Sequence, residues 1–228
     1  MSKAGGPRPS HTGNERRRWR LAPEGWIFIL PFVILAAAAL LIQWYVAAIV
    51  FAGLAAFLIH FFRDPHRRGS QRHIDVLSPA DGTVVLIKDI TDGEVWPGLT
   101  RQISIFMSVF DVHVNRAPIA GRIVHCHYTP GKRFAAMTHK SSLDNEQNLV
   151  VMTDNRGATL AFKQIAGLLA RRIVFDRKEG DEVARGERIG MIKFGSRVDV
   201  FFPSNAEIRV KPGDKPKVGL TVIAEIPE

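Results

Sequence analysis

The sequence predicts a mainly β domain that follows an apolar, helical N-terminal segment. An almost uncharged apolar stretch runs from Trp26 to Phe62. Beyond it, short runs rich in Val, Ile, Thr and Phe alternate with Gly, Pro, Asp and Asn, which is the pattern of an all-β barrel or sandwich. The chain has 228 residues, of which 46% are hydrophobic, and this suffices for one ordinary domain with an appendage.

The apolar stretch divides at Gln43 into two halves, residues 26–42 and 44–62. As helices, the halves would be about 26–29 Å long, close to the roughly 30 Å hydrocarbon core of a bilayer. We therefore expect a membrane-associated helical hairpin over residues 26–62. A single tilted or half-inserted helix and a buried soluble hairpin are the alternatives that remain open.

Basic residues flank the apolar stretch on both sides. They are Arg16, Arg17, Arg18 and Arg20 in the tail of residues 1–25, and Arg63, His66, Arg67 and Arg68 in a polar segment of residues 63–73 that we interpret as a linker. This flanking pattern is expected for segments at the cytoplasmic face of the cell membrane. The formal net charge of +9 also favours an anionic partner. Because no nucleic-acid-binding motif accompanies the charge, we expect an anionic membrane surface and no nucleic acid.

The β domain is predicted to occupy residues 74–228. The runs with strand composition are 83–87, 103–108, 122–128, 149–153, 159–164, 189–193, 198–202 and 219–225. A weak internal echo supports this organisation, because Gly180-Asp181 followed by Gly186 matches Gly213-Asp214 followed by Gly219. Such Gly-Asp turns leading into strands resemble the lipoyl and biotinyl barrel-sandwich folds, so a barrel-sandwich domain is expected.

Three motifs in a fixed order carry the functional signal. They read SPADGTV at residues 78–84, FDVHVNRAPIAG at residues 110–121 and FGSR at residues 194–197. Self-cleavage of a peptide chain requires a hydroxyl group beside a peptide carbonyl and a base that takes the hydroxyl proton. Ser196 can supply the hydroxyl group. Gly195 leaves the attacked carbonyl uncrowded and permits backbone angles that are closed to other residues.

His113 is the best candidate for the base, because an unperturbed imidazole titrates near neutrality. Asp81 can orient that imidazole and stabilise its cation, by the same logic that pairs a carboxylate with histidine in hydrolytic triads. Each residue also has an ordinary interpretation. Asp81-Gly82 is a common hairpin turn, and a single histidine is more often a core or surface residue.

In this order, the three motifs resemble phosphatidylserine decarboxylase proenzymes of the short type, and the resemblance covers nearly the whole chain. It implies a pyruvoyl-dependent lyase that converts phosphatidylserine in the membrane to phosphatidylethanolamine without a metal. It also implies cleavage between Gly195 and Ser196 into a β chain of residues 1–195 and an α chain of residues 196–228, which remain associated. Ser196 would become the covalently bound pyruvoyl group, which forms a Schiff base with the substrate, with Asp81 and His113 as the other catalytic residues.

The chain departs from many larger bacterial members at Arg116, where those proteins carry a second histidine. Two assignments are therefore open. In one, His113 serves as the base in self-cleavage and later as the acid that protonates the decarboxylated carbon. In the other, Arg116 contacts the substrate phosphate.

Two other functions are compatible with parts of the sequence. His125 and His127 lie two apart on one predicted strand, as in a zinc peptidase of the lysostaphin type, although no convincing further ligand accompanies them. A membrane-anchored, lipoyl-like adaptor would explain the anchor and the β domain without catalysis. That adaptor would keep the bond between Gly195 and Ser196 intact.

Overall fold

The computed structural model describes residues 19–131, 145–167, 172–193 and 195–227. Strand β1 (Trp19–Leu21) leads through a 3₁₀ turn (Pro23–Gly25) into helices α1 (Trp26–Leu41) and α2 (Tyr45–Phe61). Phe28 stacks on Phe62, with ring centroids 5.5 Å apart, and Phe32 lies 6.4 Å from Phe51. Because the start of α1 lies beside the end of α2, the two helices form an antiparallel hairpin.

The remainder of the described chain is built from strands. They are β2 (Arg63–Pro65), β3 (Asp75–Leu77), β4 (Thr83–Asp89), β5 (Leu99–Met107), β6 (Val114–Arg116), β7 (Gly121–Thr129), β8 (Gln147–Thr153), β9 (Thr159–Ala166), β10 (Ile173–Phe175), β11 (Glu182–Val183), β12 (Arg188–Ile192), β13 (Ser196–Pro203), β14 (Glu207–Ile208) and β15 (Val222–Glu225). Every run predicted as a strand overlaps one of them. The prediction of a mainly β protein behind an apolar helical segment is therefore confirmed.

These strands form four sheets. The sheet orders are β1-β2, β10-β12-β6, β11-β7-β8-β9-β13-β5-β4 and β14-β15-β3. Strand pairing within the described ranges leaves each sheet open, so none of them closes into a barrel. One hydrophobic core joins the three larger groups of strands, with Val76, Phe162 and Ile189 among its fully buried members.

An internal two-fold repeat organises this core. The Ser78 carbonyl accepts a hydrogen bond from Gly219 N, and the Ala117 carbonyl accepts one from Gly186 N, both at 2.8 Å. Six residues further along each segment, the Val84 carbonyl accepts from Gly213 N and the Ile123 carbonyl accepts from Gly180 N, again at 2.8 Å. The echo between the two Gly-Asp turns is thus a repeat of backbone geometry, and it extends to segments 78–84 and 117–123.

The same repeat explains two glycines by steric contact. A Cβ atom on Gly82 would lie 2.2 Å from the Phe106 carbonyl oxygen, and one on Gly121 would lie 2.3 Å from the Thr153 carbonyl oxygen. Real Cβ atoms do not approach backbone atoms this closely, so each segment can enter its strand at this distance only with glycine.

The helical hairpin packs onto the β domain at the base of α2. Leu58, Phe61 and Phe62 share a second buried cluster with Val112 and Val114 of the strand region around His113. Large apolar side chains are exposed at both ends of the hairpin, including Ile27 near its base and Leu41 and Val46 near its tip. The helix spanning Pro23–Leu41 is long and apolar enough to cross a bilayer, with a mean hydropathy of 2.2, whereas α2 is shorter. By length and composition, this helix is a candidate membrane anchor.

Candidate active site

Sheet topology brings the three sequence motifs to the same end of the seven-stranded sheet. Ser196 opens β13 and lies opposite Met107, the last residue of β5, and Phe106 in turn lies opposite Thr83, the first residue of β4. Since neighbouring strands are about 4.8 Å apart, Gly82 and Ser196 are separated by roughly 10 Å. His113 follows from the end of β5, and its carbonyl accepts a hydrogen bond of 3.2 Å from Ile192 N. The four residues from Ile192 to Ser196 span at most about 14 Å.

Ser196 is fully buried between β5 and β9. Its hydroxyl group donates to the Met107 sulfur at 3.3 Å, which is a weak acceptor. The preceding residue, Gly195, has a φ of +50°, in the left-handed region that favours glycine, and, its chain neighbours apart, no atom of the described residues lies within 4 Å of the position of a Cβ atom. Gly195, whose carbonyl group the Ser196 hydroxyl group would attack, therefore has a turn conformation with open space beside it. Phe194 of this motif lies outside the described residues.

His113 is held by the turn that precedes it. The Asp111 carboxylate accepts hydrogen bonds from Ser108 N at 2.9 Å and from Ser108 Oγ at 2.8 Å, which fixes the turn at the end of β5. Nδ1 of His113 lies 3.0 Å from the Asp111 carbonyl oxygen. Because a carbonyl oxygen only accepts, Nδ1 carries the proton and Nε2 is the basic nitrogen of the neutral ring.

The basic nitrogen of His113 is buried and has no hydrogen-bond partner among the residues that the structure describes. The Phe61 ring at the end of α2 covers the imidazole, with 4.2 Å between the ring centroids. Burial is the main cause that lowers the pKa of His113 to about 4, since an apolar environment disfavours the imidazolium cation. An unpaired buried nitrogen has a free-energy cost, so its retention here requires an explanation beyond packing.

Asp81 is equally buried, but its carboxylate is bound to other groups. It accepts hydrogen bonds from both terminal nitrogens of Arg67, and Val218 N donates to Oδ1 at 2.7 Å. Lys217 Nζ lies 3.7 Å from Oδ2. Asp81 makes no hydrogen bond to His113 among the described residues, although its negative charge is one of the contributions that raise the histidine pKa against the effect of burial. Asp81 therefore acts on His113 through space in this geometry.

Arg116 lies at the edge of this region and faces away from solvent. Its guanidinium donates to Asp64 Oδ1 at 2.5 Å and to the Gly186 carbonyl at 3.0 Å. The ion pair joins strand β6 to β2 and thereby to the base of the helical hairpin. The structure thus brings Asp81, His113, Gly195 and Ser196 to one region, and it holds the Arg116 side chain in contacts with protein groups.

Sequence reasoning missed three side chains that shape the site. Arg67 binds Asp81, Phe61 covers His113, and Met107 binds the Ser196 hydroxyl group. The signal for Arg67 was present as a basic residue after an apolar stretch, but that pattern equally indicates a membrane flank. Segment 63–73, which we interpret as a linker, contains strand β2, which pairs with β1, and Arg67, which binds Asp81.

The histidine pair of the zinc-peptidase alternative has a different environment. His125 Nδ1 lies 3.0 Å from Glu179 Oε1, and the His125 ring stacks between Trp96 and His127. Within the described residues, no group of three or more His, Cys, Asp or Glu side chains could hold a metal ion.

The fold and the site define a class: an apolar helical hairpin joined to a β domain, with a buried serine at a glycine turn near a buried histidine. A family model described as phosphatidylserine decarboxylase matches residues 54–224. The chain is 45% identical to the phosphatidylserine decarboxylase proenzyme of Magnetococcus marinus over 207 residues, which cover 90% of this chain and 95% of that protein. It is 50% identical to the proenzyme of Solibacter usitatus over 193 residues, 83% and 90% of the two chains. The chain therefore belongs to the phosphatidylserine decarboxylase family.

Proposed function

We propose that this protein decarboxylates phosphatidylserine to phosphatidylethanolamine, after cleaving its own chain between Gly195 and Ser196. The observation that carries the proposal is the buried, unpartnered Nε2 of His113 in the region of a buried serine and a left-handed glycine. The names of the related proenzymes support both the activity and the processing. Neither the zinc-peptidase nor the adaptor alternative has support from these relatives.

In the proposed self-cleavage, Ser196 Oγ attacks the Gly195 carbonyl carbon, while His113 Nε2 takes the hydroxyl proton. The peptide C–N bond breaks, its nitrogen takes up the proton held by His113, and an ester between Gly195 and Ser196 remains. Elimination then removes the α-proton of Ser196, forms a double bond between Cα and Cβ, breaks the Cβ–Oγ bond and releases Gly195 as a carboxylate. Uptake of one water and loss of ammonia convert the former serine to a pyruvoyl group. The reorientation that this requires of Ser196 Oγ, away from the Met107 sulfur, is a rotation about one side-chain bond.

The surroundings of Gly195 and Ser196 are compatible with a pyruvoyl group at residue 196. Gly195 has open space beside it, so the new C-terminus has room to leave, and Ser196 is buried, so water reaches the new group only through a restricted site. The pyruvoyl group supplies a carbonyl that draws electrons from the substrate when the carboxylate departs as carbon dioxide. The role of His113 in this step is to deliver a proton. Because burial lowers its pKa to about 4, a protonated His113 gives up that proton readily.

Asp81 is proposed to stabilise the imidazolium that forms when His113 accepts a proton. Its carboxylate charge already favours the cation, and burial strengthens charge interactions because the surroundings screen them weakly. Arg67 and Val218 N hold the carboxylate in place. Since Val218 belongs to the α chain and Arg67 to the β chain, the same contacts support continued association of the two chains after cleavage.

We also propose a type of β fold and a cellular location for this protein. The two-fold repeat of turns and backbone hydrogen bonds supports a barrel-sandwich core for residues 74–228. The exposed apolar side chains of residues 26–62 support a hairpin that inserts into the cell membrane, with the basic residues 1–25 and 63–73 on the cytoplasmic face against anionic lipid.

Intact mass spectrometry of the wild-type chain and of Ser196→Ala tests the processing. The wild type should yield residues 196–228 as a fragment lighter by one ammonia than its serine-ended form, and Ser196→Ala should stay whole. The wild type should also release carbon dioxide from phosphatidylserine in vesicles, and Ser196→Ala should not. An uncut wild-type chain with full activity would exclude the proposed mechanism.

A further inference from the structure

A cavity of about 310 Å³ lies between the end of α2 and strands β1 and β2. Its basic wall consists of Arg20, His60 and Arg63, and its apolar wall consists of Leu21, Ala56 and Ile59. The apolar wall continues into the exposed apolar face of α2. A ligand that fits both walls carries a negative charge at one end and an aliphatic chain at the other.

Arg63 is the best candidate for an anion-binding side chain in this cavity. Its guanidinium is half-buried, and within the described part of the chain it donates to two neutral groups, the His60 carbonyl at 2.6 Å and the Phe110 carbonyl at 2.8 Å. Burial lowers the pKa of Arg63, which means that the cation is held at a cost. These two bonds use two of the five guanidinium donors, so the side chain retains capacity for a ligand.

The carboxylates around Arg63 are bound elsewhere. Asp64 pairs with Arg116, Asp81 with Arg67, and Asp111 accepts from Ser108. Within the described residues, no carboxylate lies within 4.0 Å of the Arg63 guanidinium. The charges of Asp81 and Asp111 favour the Arg63 cation from a distance, and an anionic ligand in direct contact would offset the burial of the guanidinium group further.

The cavity adjoins the candidate active site. Arg63 binds the carbonyl of Phe110, which begins the motif that contains His113, and the Arg63 charge is among the causes that lower the His113 pKa. Phe110 is itself 66% exposed and packs edge-on against Phe57 of α2. An aromatic side chain exposed beside an apolar helix is typical of a membrane interface.

We propose that this cavity binds the phosphodiester of the glycerophospholipid substrate, with Arg63 as its principal ligand and an acyl chain along α2. This inference rests on the proposed function and extends it to substrate recognition. In phosphatidylserine, a single methylene separates the phosphate ester oxygen from the α-carbon that loses its carboxylate. A phosphate at Arg63 therefore keeps the reacting carbon close to the motif of His113.

Binding is measured first, on the uncleaved Ser196→Ala chain, so that no activity is needed. Monomeric dihexanoyl phosphatidylserine is titrated into detergent-solubilised protein by isothermal calorimetry. Loss of a charged hydrogen bond weakens binding by about 10-fold or more, so Arg63→Gln should raise Kd by that factor. Arg68→Gln is the matched control, because Arg68 is an exposed arginine of the same segment, and its Kd should equal that of the parent.

Kinetics on the processed enzyme then separate phosphate binding from effects on His113. With monomeric dihexanoyl phosphatidylserine, Arg63→Gln should raise KM by about 10-fold and change kcat by less than about 2-fold. The KM of Arg63→Lys should lie between those of the wild type and Arg63→Gln. With O-hexylserine, which lacks a phosphate, Arg63→Gln and the wild type should have the same kcat/KM. Should Arg63→Gln fail to fold or to process, Arg20→Gln, which lines the cavity from β1, takes its place with the same expectations.

Other outcomes overturn the proposal. An equal loss of kcat/KM with O-hexylserine would show that Arg63 acts through His113 and not through the substrate phosphate. A defect confined to vesicles, with unchanged KM for the monomeric lipid, would show that the cavity binds a neighbouring anionic lipid. If the wild type lacks decarboxylase activity but Arg63→Gln still weakens lipid binding to Ser196→Ala, the proposed function fails and the phospholipid site remains.

Discussion

If His113 is the base in the proposed self-cleavage, its contact with Phe61 predicts that the acid limit of the reaction depends on a residue of the helical hairpin. The Phe61 ring lies 4.2 Å from the imidazole, centroid to centroid, and both side chains are fully buried. Burial is the largest cause of the low His113 pKa, about 4 against an ordinary 6.5. Replacing Phe61 by alanine admits water to the imidazole, and hydration favours the cation. We expect the pKa of His113 in Phe61→Ala to rise toward 6.5.

The size of the effect follows from the fraction of neutral histidine. At about pH 5.5, a group with a pKa of 4 is almost entirely neutral, whereas one with a pKa of 6.5 is about one-tenth neutral. If neutral His113 is the base, cleavage of Phe61→Ala at this pH is slower than wild type by up to about 10-fold. At about pH 7.5 both chains are at least nine-tenths neutral, so the protonation state contributes no difference in rate.

The assay follows the uncleaved chain after a short cell-free synthesis in detergent and transfer into buffers of different pH. The wild-type rate should decline only near pH 4, and the Phe61→Ala rate should decline at a higher pH. Phe57→Ala is the control, because Phe57 lies on the same helix and contacts Phe61 and Phe110. An unshifted acid limit in Phe61→Ala, or a wild-type limit already near pH 6.5, would refute the reasoning.

Three further substitutions test the surroundings of the site. Asp81→Asn should slow self-cleavage by about 10-fold or more, measured from the uncleaved fraction on gels, because the imidazolium loses a nearby negative charge. Gln164→Leu should lower the free energy of unfolding in urea by about 2–5 kcal/mol, because Asn115 Oδ1 and Asn148 Nδ2 are then left buried without a partner. Gly82→Ala should abolish folded, cleaved protein on size-exclusion chromatography, since its Cβ atom would overlap the Phe106 carbonyl.

Each of these substitutions has a control variant that distinguishes between two possible causes of its effect. If Arg67→Gln slows cleavage as much as Asp81→Asn does, Asp81 acts by holding the structure and not by its charge on His113. In Asn148→Leu/Gln164→Leu, one of the two unpaired amide groups is absent, and a cost larger than that of Gln164→Leu alone would contradict the hydrogen-bond account. Gly53→Ala, in α2, has no atom within 4 Å of its Cβ position and should fold and cleave normally.

The strands and turns could be predicted because their signals are local. Runs such as 122–128 contain residues that favour strands and lie between glycine and proline. Composition and turn chemistry are therefore sufficient to predict these strands. The pairing of β13 with both β5 and β9 could not be predicted, because it joins segments far apart in the chain whose register depends on core packing. The barrel-sandwich prediction was finer than the observed pairings support, since the described sheets remain open.

For the site, sequence motifs predicted Asp81, His113 and Ser196, and the structure gathers them at one end of a sheet. Their catalytic roles stay predictions. Phe61 and Arg63 could not be predicted, because an aromatic or basic residue at the end of an apolar helix satisfies the membrane pattern by itself. Only the tertiary fold shows that these residues also face His113 and Phe110.

A comparison of the two copies of the repeat separates residues that the fold requires from residues that the fold does not require. Segments 78–84 and 117–123 make matching backbone hydrogen bonds, yet the position of Asp81 in the first is taken by Ala120 in the second. The second copy keeps its turn without a carboxylate, so the backbone geometry does not require one. A buried carboxylate also has a desolvation cost, which Arg67 and Val218 N only offset. The asymmetry between the two copies therefore agrees with the proposed role of Asp81 in the reaction, since the fold alone does not account for a carboxylate at this position.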